Sequence, residues 1–190
     1  MIPSEVHIQK LWDDYRLPPY KRSHCLLVAR VALWFAHQLM IKRGLSINLE
    51  LLQVAALVHD IDKMAPKRKG EHHPDTGVRI LRESGFGEVA DLVRTHPLHA
   101  ILDPTIAPKT IEQKLLYLSD KMVKHSIITV DERFTLWRKE KLPFDAVAIL
   151  DAAYPKVKAL EKKLCSMVGV KPHDIAKLAN TSDLSTMKLL

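Results

Sequence analysis

Apolar residues recur every three to four positions along most of the chain, the spacing that places them on one face of an α-helix. Runs in which apolar and polar residues alternate between turn residues, as they do in half-buried strands, are not found. Proline, glycine and helix-capping residues divide the pattern into separate segments. The sequence therefore predicts an all-α protein, a compact helical bundle.

Capping residues indicate where these helices begin and end. Ser4 is placed to cap a first helix that stops before Pro18, and Gly44 is placed to end the second. The pairs Thr110 with Gln113 and Thr129 with Glu132 have the spacing of capping boxes. The expected helices cover residues 5–17, 21–43, 48–59, 74–84, 88–96 and 144–168, and others begin near 111, 130 and 172. The proline-containing segment 98–109 is expected to be a loop.

The helical pattern is continuous enough to predict one domain. We expect it to span residues 1–170 with its core at about 21–140, and residues 171–190 to form a short helix and a tail. The apolar runs are too short to cross a bilayer and no signal peptide is evident, so no membrane partner and a cytoplasmic location are expected. Cys25 and Cys165 are the only cysteines, which argues against a disulfide framework.

The formal net charge of +7 favours an anionic partner. Aromatic residues make up 6% of the chain and are not interleaved with basic runs, so nucleic acid is disfavoured. A small phosphorylated molecule, preferably a nucleotide, is the expected partner, and a homodimer is allowed.

Several histidines and aspartates fall on the apolar, inward faces of the predicted helices. His24 shares a face with Val28 and Val31, and His59 and Asp60 end the helix that begins near residue 48. An unpaired carboxylate on such a face would cost several kcal/mol, a penalty that a metal ion removes. His24, His59, His96 and Asp120 lie on such faces, Asp60 ends a helix, and His73 begins one just before Pro74. Four imidazoles and two carboxylates are enough to hold two divalent ions.

The sequence resembles the HD superfamily of metal-dependent phosphohydrolases. The segment HDIDK at 59–63 resembles the HDIG form of the central motif, HPDTG at 73–77 an HPxxG segment, and LSDKMV at 118–123 the terminal aspartate motif. VDERF at 130–134 follows as in relatives, and the resemblance covers about residues 22–137. The full set of six ligands is similar to that of the HD-type dinucleoside tetraphosphate hydrolases. Asp62 departs from the pattern, because the HDIG form has glycine there.

The resemblance implies a phosphohydrolase that cleaves a nucleotide or related small phosphate ester or anhydride with metal-activated water. Iron or manganese is favoured for one or two sites of mixed imidazole and carboxylate ligation, and cobalt, zinc, nickel or magnesium is admitted. Asp60 is the candidate bridging ligand and a catalytic candidate. The alternatives are an HD-type di-iron oxygenase and a non-catalytic nucleotide-sensing domain.

Basic residues near the motif are candidates for binding phosphate. Lys63 is the first of these and is also a catalytic candidate, because it follows Asp60 by three positions. The further substrate-binding candidates are Lys67, Arg68, Lys69 and Arg22. His72 and His99 are alternatives to His73 and His96 as ligands.

Overall fold

Ten helical segments form the part of the chain that this computed structural model describes, residues 1–178. They are α1 (Glu5–Asp14), α2 (Pro19–Arg43), α3 (Leu49–Val58), α4 (Asp75–Glu83), α5 (Gly87–Val93), the 3-10 helix η1 (Leu98–Leu102), α6 (Ile111–Lys121), α7 (Val130–Lys139), α8 (Phe144–Val168) and α9 (Pro172–Leu178). These residues contain no β-strand, which confirms the all-α prediction. The predicted tail from 179 onward lies outside the described residues.

The helix ends follow the capping signals in the sequence. The side chain of Asn48 accepts the Leu51 amide at the start of α3, and the two predicted capping boxes begin α6 and α7. Gly44 ends α2 with a φ of 64°, a left-handed conformation that glycine adopts without a steric penalty. The expectation of a loop over 98–109 is wrong at its start, because short-range backbone bonds such as Ala100 N–H to Pro97 O form η1.

Helix α2 forms the centre of the bundle and packs against α3, α6 and α8. Its buried side chains include Val28, Val31 and Phe35, all at 0% exposure. By length and composition α2 could span a bilayer, yet 61% of its most apolar stretch is buried within the fold. Burial to this degree is typical of a core helix. The packing of α2 against α3 and α6 brings the start of α2 close to the helix ends that carry other polar residues.

Side chains of α1 and α8 each bind a backbone group of another helix. The Trp12 indole of α1 donates to the Leu57 carbonyl in the last turn of α3, at 2.9 Å. Glu161 of α8, 1% exposed, accepts the Val130 amide that begins α7, at 3.2 Å. Both bonds satisfy backbone groups that would otherwise be buried without a partner.

Candidate metal centre

The six predicted ligands come from five different places in the chain and lie close together. His24 lies near the start of α2, His59 caps the end of α3, and Asp60 follows in the next turn. The other three are His73 before α4, His96 after α5 and Asp120 in the last turn of α6. Two sets of three have ligand atoms within 4.8 Å of one another: His24, His59 and Asp60, and Asp60, His73 and His96.

Asp60 belongs to both sets and presents one oxygen to each. Its Oδ2 lies 4.0 Å from His24 Nε2 and 3.8 Å from His59 Nε2, whereas its Oδ1 lies 3.8 Å from His73 Nε2. Asp120 Oδ1 joins the first set, at 3.1 Å from His24 Nε2 and 3.5 Å from His59 Nε2. A carboxylate between two groups of imidazoles has the arrangement of a ligand that bridges two ions.

Hydrogen bonds at Nδ1 fix the tautomers of three of the histidines. His59 Nδ1 donates to the Ala56 carbonyl at 2.8 Å, and His96 Nδ1 donates to the Val93 carbonyl at 2.6 Å. His73 Nδ1 donates to the Asp62 carboxylate at 2.9 Å. With the proton on Nδ1, the lone pair of Nε2 is free to coordinate. The backbone of α3 and α5 therefore prepares the imidazoles as metal ligands.

Two features of the imidazoles show that this site fits a cation. His59 Nε2 is buried without a hydrogen-bond partner among the described residues. His73 Nε2 and His96 Nε2 lie 2.9 Å apart and face each other, while both Nδ1 atoms donate elsewhere. Atoms bound to one ion at ~2.0 to 2.2 Å lie within about 4.4 Å of each other, so all the distances above are compatible with shared ions.

Two lysines hold Asp60 in its ionised form. Lys21 Nζ lies 2.7 Å from Oδ2 and Lys63 Nζ lies 3.3 Å from Oδ1. Burial alone would raise the pKa of Asp60, but His59, Lys63 and Lys21 outweigh burial and hold this pKa far below its usual value. The carboxylate is therefore charged at neutral pH, as a metal ligand must be.

The fully buried Lys121 supports the opposite side of the site. Its ammonium lies 2.8 Å from Asp120 Oδ2, also donates to the His96 carbonyl, and lies 4.2 Å from the centre of the Tyr117 ring. The Tyr117 hydroxyl donates to the Leu98 carbonyl at 2.9 Å. Because these two side chains hold the carbonyls on either side of Pro97, they fix the turn that carries His96.

Burial also keeps His96 neutral. Its pKa is well below the usual value because the ring is desolvated and lies beside His73 and His59. Asp120 has the reverse balance: burial opposes its charge, but Lys121 and the hydrogen bond from His24 hold its pKa well below the usual value. Burial would lower the pKa of His59, but Cys25 and Asp60 outweigh burial and hold this pKa well above its usual value. Divalent metals bind neutral imidazoles and ionised carboxylates, so a metal at this site would displace a proton from His59.

A cavity of about 210 Å³ opens over the six-residue cluster. Lys63 lines it, as the sequence predicts, and so do three basic residues to which the sequence analysis gives no role: Lys21, Lys121 and Arg133. Lys21 precedes His24 by one helical turn, a spacing that puts both on one face of α2. Arg133 lies within the VDERF segment, so a sequence signal existed for each of these two.

Arg22 is not brought to this cavity. Its guanidinium donates to the Leu17 and Trp12 carbonyls and pairs with Asp13 at 2.7 Å. Residues two apart on a helix do not share a face, so Arg22 and His24 point in different directions. The structure gives Arg22 a role in joining α1 to α2 in place of the phosphate contact predicted for it.

The basic loop that precedes α4 also lies outside the cavity lining. Lys67, Arg68 and Lys69 are exposed, and Arg68 pairs with Glu83 of α4 at 2.9 Å. Glu71, whose pKa is lowered to about 2 by hydrogen bonds from Arg79 and the Arg68 backbone, holds the loop against α4. The loop therefore faces α4, and the structure does not bring the predicted basic rim to the site.

The alternative histidines are also outside the cluster. His72 and His99 are both exposed, while their neighbours His73 and His96 supply the facing nitrogens.

The cluster of imidazoles and carboxylates at helix ends, inside an all-α bundle, defines a helical domain whose groups could hold divalent metal. The chain belongs to the HD domain family, whose model matches residues 22–124, more than half of the sequence. All six clustered residues lie within that match. No curated protein and no solved structure matches the chain significantly.

Proposed function

We propose that this chain is a metal-dependent phosphohydrolase that cleaves a nucleotide or a related small phosphate ester or anhydride. The observation that supports it most is the sharing of Asp60 between two imidazole sets at the floor of a cavity lined by lysines. HD domains bind divalent metals, and the donors present here fit such ions. The two cysteines are unpaired, which supports a cytoplasmic location.

His24, His59, Asp60 and Asp120 would hold one ion, and Asp60, His73 and His96 a second. When bound, such ions supply an activated water at neutral pH and polarise the phosphate oxygens. The mixture of imidazole and carboxylate favours iron or manganese, with cobalt, zinc, nickel or magnesium also admitted.

The basic residues on the cavity wall would bind and orient the substrate. Lys63 is 32% exposed at its side chain and Lys21 is 25% exposed, so both ammonium groups can meet a phosphate while still facing Asp60. Each keeps a positive charge beside the carboxylate, which offsets repulsion between Asp60 and an incoming anion. Lys63 is the catalytic candidate, because it contacts the oxygen of Asp60 that faces His73.

Turnover by defined metal forms tests this function. Protein loaded in turn with manganese, iron and cobalt would be assayed for hydrolysis of nucleotides, dinucleoside polyphosphates and generic phosphoesters. We expect at least one class to be cleaved, and Asp60→Asn to lower the rate by more than the ~10- to 100-fold typical of a residue outside the ligand sphere. Arg68→Ala, at an exposed position outside the cavity, is the control. Absence of turnover by folded, metal-loaded protein in all these assays would refute the proposal.

A further inference from the structure

Arg133 lies in the cavity wall with unused hydrogen-bonding capacity. Its Nε and Nη1 are buried, and neither has a partner within residues 1–178. The guanidinium lies 4.4 Å from the centre of the Trp137 ring, which orients its plane. Buried donors without acceptors are costly, and a ligand that supplied acceptors would remove this cost.

Three other arginines show a different state, although Arg30 Nε is also buried without a partner among the described residues. Arg79, Arg82 and Arg138 each pair with a carboxylate at 2.6 to 3.2 Å. Arg138 is the closest comparison, because it also belongs to α7 and also lies over an aromatic ring, that of Tyr154. It differs in pairing with Asp151 outside the cavity. Stacking on an aromatic ring therefore does not by itself leave an arginine without a partner.

A second cavity, of about 170 Å³, adjoins the first at Arg133. Lys21, His24 and Arg133 line both, and Tyr20, Lys124 and His125 complete the second. Neither cavity alone reaches the roughly 300 Å³ at which sites for drug-sized ligands begin, whereas the two together exceed it. The shared wall carries two permanent positive charges on its basic side chains. A ligand that fills both spaces would thus extend from the metal ligands past Arg133.

We propose that Arg133, assisted by Lys21, binds a second phosphate group of the substrate, next to the one held at the metal centre. The planar guanidinium can donate two parallel hydrogen bonds to phosphate, and its unpartnered nitrogens are positioned for that task. The site would accordingly prefer compounds with linked phosphates, such as nucleoside diphosphates, to monophosphates. This inference rests on the proposed phosphohydrolase function and adds a specificity-determining residue to it.

Binding measurements test the subsite without requiring turnover. Manganese-loaded protein would be titrated calorimetrically with AMP and with α,β-methylene-ADP, which differs by one phosphate and resists cleavage between its two phosphates. We expect the wild-type protein to bind the diphosphate analogue at least tenfold more tightly than AMP. Arg133→Ala should lower affinity for the analogue by about tenfold to a hundredfold, as hydrogen bonds to charged groups do, and change AMP affinity by less than about threefold.

Two further variants separate the subsite from general charge and from misfolding. Arg138→Ala removes the same charge from the same helix and should leave both affinities unchanged. Arg133→Lys keeps the positive charge but lacks the planar guanidinium that donates two parallel hydrogen bonds. It should therefore retain only part of the wild-type preference for the diphosphate analogue over AMP. Circular dichroism checks the fold of each variant.

An equal affinity ratio in wild-type protein and Arg133→Ala would overturn the inference, as would an equal loss in Arg138→Ala. Failure of the phosphohydrolase function appears separately, as absent hydrolysis by a protein that still distinguishes the two ligands.

Discussion

Replacing Asp62 with asparagine tests whether this buried carboxylate prepares His73 as a ligand. Asp62 is 1% exposed, and its two oxygens lie 2.9 and 3.1 Å from His73 Nδ1. Asparagine has almost the same size, so the packing around it should be kept. Its amide, however, offers a donor in place of one acceptor. If that donor faces Nδ1, the imidazole must carry its proton on Nε2, the atom that faces Asp60 and His96.

The expected loss follows from the contact that is removed. A hydrogen bond to a charged group contributes ~1.5 to 3 kcal/mol, and loss of an outer partner of a ligating histidine lowers metal affinity about 10- to 100-fold, or about 1.4 to 2.7 kcal/mol. The two estimates agree. Asp62 is hydrogen-bonded to His73 of the second set and, in the described part of the chain, to no histidine of the first. An ion bound by His24, His59, Asp60 and Asp120 should therefore keep its affinity.

The assay is a competition between the protein and a chromophoric chelator for manganese, with bound metal counted by elemental analysis. The chelator is set to compete for manganese more strongly than the weakened second site of Asp62→Asn and less strongly than the same site in wild-type protein. Under these conditions wild-type protein should retain two ions and Asp62→Asn one. Asp75→Asn is the matched control, because this exposed carboxylate of the same segment accepts the His72 amide and not an imidazole. Two ions bound with unchanged affinity in a folded Asp62→Asn protein would refute the assignment of Asp62 as the residue that orients His73.

Three other predictions concern metal, substrate and pH. Manganese at 100 times its dissociation constant should stabilise the protein by about 2.7 kcal/mol per site, seen as a rise of roughly 5 to 10 °C in melting temperature that a chelator reverses and that Asp60→Asn lacks. Lys63→Ala should lower kcat/KM by about tenfold to a hundredfold, while Lys67→Ala, outside the cavity, should not; steady-state kinetics on a substrate found in the screen decides this. Burial raises the pKa of the Cys165 thiol to about 12 from an ordinary 9.0, so the unfolded chain loses this proton first as pH rises. Stability should therefore fall between pH 9 and 12, by up to about 1.4 kcal/mol per pH unit, and urea unfolding should show a shallower fall for Cys165→Ala.

The helices and the ligand set could be predicted because their signals are local. Asn48, Thr110 and Thr129 each cap the helix that follows them, and these contacts span only three residues. The inward-facing polar positions could also be found from local sequence, because helical spacing alone puts an imidazole on an apolar face. Such an imidazole needs a partner regardless of how the neighbouring helices are arranged.

The remaining features depend on how helices are placed relative to one another. The unpaired donors of Arg133 are visible only once α7 lies beside the cavity. The attachment of Arg22 to α1, and of Arg68 to α4, likewise involves side chains that compete for these arginines from other helices. A count of basic residues near the motif could not distinguish such structural pairs from Lys63, which does reach the site. The role of Asp62 also depends on the fold, because eleven positions separate it from His73.

The bond from Trp12 to the Leu57 carbonyl has a consequence for dividing this chain. The acceptor lies two positions before His59, while its donor lies outside the segment matched by the family. Glu161 and Val130, which are hydrogen-bonded to each other, both lie beyond that segment. The segment matched by the family is therefore shorter than the part of the chain that packs together. A fragment cut to 22–124 would keep every ligand, yet it would lose the scaffolding that holds α3 in place, and it should bind metal only as a loosely ordered peptide.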